Sequence, residues 1–190
     1  MKNLLFISIF LSLFLRINPV LSLEDREVLF KDALSASSIG QFVISLDKWN
    51  QYLKEFPNDP AALSNRGNVK LVLGDPKGAI KDQNNAINLD DNELDPYINR
   101  GIAKESLGLW LDAKDDYSFV ISRDKDNFSA MYNLANVEGS LENWENAREL
   151  YDNAAKTNPG FAMARSSLAL ADYELGEFNK SEQELRKLIR

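Results

Sequence analysis

The 190-residue sequence contains no cysteine and no histidine. The absence of cysteine excludes disulfides and thiol nucleophiles, and the absence of both residue types removes nearly every zinc or copper site built from side chains. Imidazole is also missing as a general base, so any catalysis would depend on carboxylates, hydroxyls or amines. The sequence therefore predicts a protein that is not an enzyme and that binds no cofactor.

Positive charge is scarce as well, since 22 Lys and Arg residues face 29 Asp and Glu residues and the formal net charge is −7. An acidic surface repels phosphate groups, whereas proteins that bind nucleic acid neutralise the phosphate backbone with a basic face. We therefore predict that nucleic acid is not a partner.

One long apolar run is present, from Leu4 to Leu15, and Lys2 precedes it. Its 12 residues are fewer than the roughly 20 that span a bilayer, and small or apolar residues suited to cleavage follow at Val20-Leu21-Ser22. We predict that residues 1–22 are a signal peptide. A membrane anchor formed by residues 4–23 is the alternative.

Cleavage would leave residues 23–190 as the mature chain, exported to a periplasm, to a thylakoid lumen or out of the cell. Because the leader holds two basic residues and no acidic one, the mature chain would carry 20 basic and 29 acidic residues. In that case a membrane is a partner only if the leader stays uncleaved.

Small residues recur with a step of 34 along the chain. Such a period is typical of helix-turn-helix units that stack into a solenoid, and small residues allow the two helices of a unit to approach closely. The recurring small residues are Gly67, Gly101, Ala135 and Ala169. In this register the repeats are residues 26–59, 60–93, 94–127, 128–161 and 162–190.

The turn after the first helix of each repeat also follows this period. Four of the five repeats have glycine at position 15, counted from the first residue of the repeat, and the fourth has Glu142. The glycines are Gly40, Gly74, Gly108 and Gly176.

The segments Leu63 to Asn68 and Leu73-Gly74-Asp75, together with the five repeats in register, resemble the tetratricopeptide repeat family over residues 26–190. The resemblance implies an all-α, right-handed α-solenoid of five helix pairs. Other segments, Asn65 to Asp82 and Phe161 to Gly176, are similar to cyanobacterial and plastid members.

The family's helix-ending proline is matched by Pro57 and Pro159, whereas Asp91 and Lys125 replace it in repeats two and three. Proline cannot continue a helix and its replacements can. We therefore predict less sharply defined helix ends in those two repeats.

In this family the first helix of each repeat lines a concave groove that binds a peptide or protein. The resemblance places ten groove residues here: Phe30, Leu34, Ser64, Asn68, Ile98, Ile102, Tyr132, Asn136, Leu170 and Tyr173. The groove positions of the family include four acids in this sequence and no Lys or Arg. We therefore predict a partner that is apolar to mildly basic.

Asparagine recurs at positions 6 and 9 of the repeats, as Asn65, Asn99 and Asn133 and as Asn68 and Asn136. A primary amide can both donate to and accept from a ligand backbone, but asparagine at these positions is common in the family whatever the ligand. A scaffold role and a ligand role both stay open.

Two acidic clusters, residues 90–93 and 124–127, fall between repeats. Neither has the glycine and glutamate spacing of a calcium loop, and Asp and Asn favour turns and helix caps for local reasons. We predict that they shape turns and that no metal binds.

Positions 7 and 23 of each repeat change together, as Asp32 with Lys48, Arg66 with Asp82, Arg100 with Asp116, and Leu134 with Leu150. This covariation predicts a contact between the two helices of each repeat. Leu168 with Glu184 breaks the rule.

Together these observations predict a non-catalytic scaffold or assembly factor that holds a peptide or protein outside the cytoplasm. The alternative is a structural protein that self-associates through Leu185, Leu188 and Ile189, which we expect to be partly exposed at the last repeat. Whether the end at Arg190 is natural or a truncation is left open, as are the partner and the oligomeric state.

Overall fold

The structure is a computed structural model that describes residues 22–188, and these residues form ten α-helices and no β-strand. The helices are α1 Leu23–Ser38, α2 Phe42–Glu55, α3 Pro60–Val72, α4 Pro76–Leu89, α5 Asp95–Glu105, α6 Trp110–Arg123, α7 Phe128–Ser140, α8 Trp144–Thr157, α9 Ala162–Glu174 and α10 Phe178–Leu188. The predicted signal peptide lies outside the described residues, apart from its last residue, Ser22, and so does Ile189.

Each helix packs against the next one in the chain, from α1 to α10. The first helices of the repeats are α1, α3, α5, α7 and α9. Among them α3 also contacts α1 and α5, and α5 contacts α7. Packing between neighbours in sequence is the pattern of a solenoid. The predicted all-α solenoid of helix-turn-helix repeats is confirmed.

Several helices begin at a capping side chain. Asp59 accepts a hydrogen bond from the backbone N–H of Ala62 at 3.0 Å, and Asp75 accepts one from Gly78 at 2.9 Å. Both caps are followed by a proline at the first helical position, where the missing N–H costs no hydrogen bond.

The turn after the first helix adopts a left-handed backbone in every repeat. The four glycines at position 15 have φ between 72° and 82°, a conformation that glycine adopts without strain. Glu142 takes the same conformation with φ 61°. The replacement of glycine in the fourth repeat therefore leaves the shape of the turn unchanged.

The second helices end 34 residues apart, at Glu55, Leu89, Arg123 and Thr157. The prediction of less sharply defined ends in repeats two and three, where proline is missing, is therefore wrong. The reason is a local hydrogen bond that ends the helix instead. Asp90 accepts from the N–H of Asn92, and Asp124 accepts from the N–H of Asp126, both at 3.1 Å.

The core lies between the first and second helices of each repeat and consists of aromatic rings set among alanines. Tyr117 is fully buried, and a Cβ atom at Gly101 would lie 2.5 Å from its ring. Trp49 and Tyr52 fill the same layer in the first repeat. The small residues that recur along the chain therefore make room for the facing side chains.

Candidate functional site

The first helices carry the candidate site on the surface that faces away from the second helices, called here the inner face. Between α3 and α5 this face holds a cavity of about 320 Å³, lined by Ser64, Asn65, Asn68 and Asn99 among others. Between α1 and α3 lies a second cavity of about 260 Å³, lined by apolar side chains that include Leu34. Asn65 and Asn68 line both cavities, so the two adjoin.

The larger cavity has an acidic margin. Asp90, Glu93 and Asp95 lie around it, and the described residues that line it include no Lys or Arg. The smaller cavity is apolar at Leu34, Phe42 and Val72. An apolar pocket therefore continues into a polar pocket with negative charge.

Three asparagine side chains of the inner face are each held by one intramolecular hydrogen bond. Asn65 donates to the carbonyl of Ala61 at 2.9 Å, and Asn99 donates to the Ser64 hydroxyl at 3.3 Å. The Asn68 oxygen accepts from Gln83 at 3.1 Å. Within residues 22–188 the other polar atom of each of these three amides has no hydrogen-bond partner, so it can bond a ligand.

Three of the predicted groove residues are half-buried and belong partly to the core. Phe30 packs edge-on against Trp49 with ring centroids 5.0 Å apart. Ile98 packs against the clusters around Tyr117 and Val120. Tyr132 meets Phe161 edge-on at 4.9 Å. These side chains therefore belong to the core as well as to the inner face.

Four other predicted groove residues are exposed, namely Leu34, Ile102, Leu170 and Tyr173. Ser64 is buried beneath the larger cavity, and Asn136 accepts a hydrogen bond from the Tyr151 hydroxyl at 2.7 Å. The structure thus brings Leu34, Ser64 and Asn68 to the two adjoining cavities. Their contact with a ligand stays a prediction.

Glu105 is the last residue of α5, and it is half-buried. Its carboxylate accepts a hydrogen bond from the hydroxyl of Tyr117. Burial raises the pKa of Glu105 above its usual range, against the lowering effect of that bond. Burial is also the main cause that raises the pKa of Tyr151 to about 12, and the nearby Glu105 carboxylate adds to it. Glu105 therefore lies where α5 meets the fourth repeat.

The predicted contacts between positions 7 and 23 are confirmed. The Arg66–Asp82 pair is 2.7 Å long, the Arg100–Asp116 pair is 2.5 Å long and the Lys48–Asp32 pair is 3.0 Å long. In the fourth repeat Leu150 packs against the cluster that contains Leu134. Glu184, the exception, pairs with Arg165 at 3.4 Å.

Lysines four residues after the arginines complete two of these sites. Lys70 reaches Asp82 and Lys104 reaches Asp116, each at 2.8 Å. Each aspartate is almost completely buried and is held between an arginine and a lysine. The repulsion between cations four apart on a helix is thereby offset.

A second set of ion pairs, which the sequence did not predict, joins one repeat to the next. Lys114 pairs with Glu138 at 2.7 Å, and Arg148 pairs with Asp172 at 2.5 Å. The acids occupy position 11 of repeats four and five, where repeats two and three have Lys70 and Lys104. This reversal of charge, together with a basic residue at position 21 of the preceding repeat, is the signal that would have revealed them.

The turn clusters behave as predicted from local chemistry. Asp90 and Asp124 accept backbone hydrogen bonds within their own turns, and Asn127 caps α7 by accepting from Ala130 at 3.0 Å.

Leu185 and Leu188 on α10 are exposed, at 45% and 37%, and self-association through them stays a prediction. From residue 22 to residue 188, no helix has both the length and the apolar character needed to cross a membrane.

Comparison with known proteins gives both family and structural matches. The family model for the tetratricopeptide repeat matches residues 132–190. A FAM10 family protein of Arabidopsis thaliana is 27% identical over 153 residues, which are 80% of this chain and 34% of the relative. Tetratricopeptide repeat protein 36 of Danio rerio is 32% identical over 104 residues, which are 53% of this chain and 55% of that protein. The chain thus spans about a third of the first relative and about half of the second.

Two solved structures resemble the whole described solenoid. The structure of PilF from Pseudomonas aeruginosa has a TM-score of 0.79 at 15% identity, and covers 87% of this chain and 76% of its own. MamA from Desulfovibrio magneticus has a TM-score of 0.76 at 16% identity, and covers 86% of this chain and 93% of its own. At these identities the likeness establishes the fold alone.

Proposed function

We propose that this chain, a solenoid of helix-turn-helix repeats that matches the tetratricopeptide repeat model over residues 132–190, is a non-catalytic scaffold or assembly factor that holds a peptide or protein on its inner face. The fold implies interaction with other proteins in general. The location of the site on the inner face, the nature of the partner and the absence of catalysis are parts of this proposal.

The observation that carries the proposal is the pair of adjoining cavities across α1, α3 and α5. Their shared wall of Asn65 and Asn68, with Asn99 opposite, offers amide groups that have spare donors and acceptors. An extended peptide has an unpaired N–H and C=O at every residue, and amides spaced along a groove can bond them.

Charge and apolar surface define the partner further. Leu34 and Val72 expose apolar surface beside the smaller cavity, and Asp90, Glu93 and Asp95 surround the larger one. Apolar burial supplies affinity, and the carboxylates favour a basic residue over an acidic one. The proposed partner is therefore a segment with apolar anchors and one or two basic residues.

We place the function outside the cytoplasm, in a periplasm, in a thylakoid lumen or beyond the cell. The support is the sequence alone, namely a basic start and a short apolar run that ends near residue 22. The similarity of two segments to cyanobacterial and plastid members also leads us to propose a role in assembling membrane complexes.

A peptide array tests the proposal. Decapeptides with leucine anchors and zero, one or two lysines, and a matched acidic set, are probed with the full-length protein. We expect retention on the neutral and basic sets. The variant Asn68→Leu removes one of the two amides shared by both cavities and should weaken binding about tenfold. A preference for the acidic set, or unchanged binding by that variant, would contradict the proposal.

A further inference from the structure

Among residues 22–188 every buried acid has a basic partner, and the half-buried acids Asp90 and Asp124, which have none, accept backbone N–H bonds within their turns. Five acids are buried, and each lies within ion-pair distance of an arginine or a lysine. They are Asp59, Asp82, Asp116, Glu138 and Asp172. Glu105 is half-buried, yet within residues 22–188 it pairs with no Lys or Arg, and its hydrogen-bond partner is the neutral hydroxyl of Tyr117.

The surroundings of Glu105 do not compensate its charge. It ends α5, where the partial negative charge of the helix terminus disfavours a carboxylate. The neighbouring Lys104 is turned away, because its ammonium group bonds Asp116 at 2.8 Å and the carbonyl of Asp112 at 3.0 Å. Burying a carboxylate without a cation costs stability, so a cation supplied from outside would relieve that cost.

The residues near Glu105 offer apolar surface and an amide group that a bound peptide can contact. Ile98, Ile102 and Glu105 fall on one stripe of α5, at steps of four and three residues. Ile102 is exposed. On α7 the nitrogen of the Asn136 amide has no hydrogen-bond partner among the described residues, since only its oxygen is engaged, by Tyr151.

We propose that Glu105 is the anchoring carboxylate for a lysine or arginine side chain of the bound peptide, whose apolar residue lies on Ile102 and Ile98. This assignment rests on the proposed function and makes it specific to one subsite. The guanidinium or ammonium group donates to the carboxylate oxygen that Tyr117 leaves free. The Asn136 amide nitrogen can donate to a carbonyl of the same peptide.

Helix and strand geometry give the expected spacing. Ile98 and Glu105 are seven residues apart, so they lie about 10 Å apart along α5. An extended peptide rises roughly 3.3 Å per residue, so the apolar anchor and the basic residue should be about three residues apart. Shorter or longer spacings should bind more weakly.

Fluorescence anisotropy with labelled decapeptides tests the assignment on the full-length protein. The probes carry one leucine and, three residues later, lysine, norleucine or glutamate in an alanine and serine background. The protein variants are Glu105→Gln, which keeps the shape and a hydrogen-bond acceptor for Tyr117, and Glu149→Gln. Glu149→Gln removes the same charge from an exposed position of α8, a second helix.

We expect the wild-type protein and Glu149→Gln to bind the lysine peptide about tenfold more tightly than the norleucine peptide, and the glutamate peptide most weakly. In Glu105→Gln the lysine and norleucine peptides should bind equally. Binding of all leucine peptides without a charge preference, or a preference that survives in Glu105→Gln, overturns the Glu105 assignment and leaves the proposed groove in place. Absence of binding to every probe overturns both.

Discussion

At the scale of single residues, the most consequential backbone position is Glu142. A left-handed conformation costs a residue with a Cβ atom about 1–2 kcal/mol, whereas glycine adopts it freely. The four other turns avoid this cost with glycine, and the fourth does not. The fourth turn therefore carries strain that its neighbours lack.

Replacing Glu142 with glycine should stabilise the protein. We expect the free energy of unfolding to rise by about 1 kcal/mol and the Tm by roughly 2–4 °C, as measured by urea and thermal denaturation. The matched variant Glu142→Ala removes the same charge but retains the Cβ atom, so it should give no such gain. Equal stabilisation by both variants would assign the effect to charge instead of to the backbone.

Glu105 predicts a specific pH dependence. Because its pKa is higher in the folded chain than in the unfolded chain, the folded state binds this proton more tightly. The stability that this group contributes is thus present at low pH and is lost as the pH rises through the folded pKa. Glu105→Gln, which cannot ionise, should be free of this loss.

Urea denaturation of wild type and Glu105→Gln between pH 4 and pH 8 measures this effect. The free energy of unfolding of the wild type, relative to the variant, should fall as the pH rises, since the other carboxylates are common to both. A difference that stays constant with pH would show that the environment of Glu105 is no less favourable to its charge than water.

At the scale of helices, buried aspartates join the two helices of repeats two and three. Asp82 is 1% exposed and lies 2.7 Å from Arg66 and 2.8 Å from Lys70. The equivalent pair in the first repeat, Asp32 with Lys48, is open to solvent. Equivalent positions thus hold a buried and an exposed version of one interaction.

Removing the buried aspartate should be far more damaging than removing the exposed one. Asp82→Ala leaves Arg66 and Lys70 without their shared acid, and should lower the free energy of unfolding by about 3 kcal/mol. Asp32→Ala should lower it by less than about 0.5 kcal/mol. Chemical denaturation of both variants compares them directly, and losses of similar size would contradict the role of burial.

The sequence predicted the helix pairs, the turns and the contacts within repeats because each is set by residues at fixed offsets of one repeat. It misjudged the ends of α4 and α6, where Asp91 and Lys125 replace proline and hydrogen-bonded turns at Asp90 and Asp124 follow the helices. For the candidate site, it named Leu34 and Asn68 and counted four acids at groove positions, but it did not single out Glu105. Within residues 22–188 Glu105 has no basic partner, since the adjacent Lys104 bonds Asp116 instead, and a repeat pattern does not contain that information.

At the scale of the whole molecule, the ion pairs change their direction along the solenoid. In repeats two and three they close on the same repeat, whereas Lys114–Glu138 and Arg148–Asp172 cross to the next repeat. The stability of a solenoid comes from contacts within each repeat and from the interfaces between neighbouring repeats. The crossing pairs add to the stability of these interfaces. The last repeats should therefore depend on their neighbours more than the first ones do.

Hydrogen exchange should detect this dependence. Asp172→Asn leaves Arg148 without its partner, and we expect amides of α9 and α10 to exchange at least tenfold faster while α1 to α4 stay unchanged. Glu182→Gln, which breaks an exposed pair within α10, is the control and should change little. Uniform acceleration over the whole chain would instead indicate a single cooperative unit.

The reversal of charge at position 11 also fixes the serial order of the units. A copy of repeat two inserted after repeat three would set Lys70 against Lys114, two like charges, and repeat four joined directly to repeat two would face Glu138 with the uncharged Ile80. Repeats of nearly identical shape therefore cannot be exchanged for one another. Repeats four and five each form an ion pair with the repeat that precedes them, and placing either one after repeat two would remove that pair.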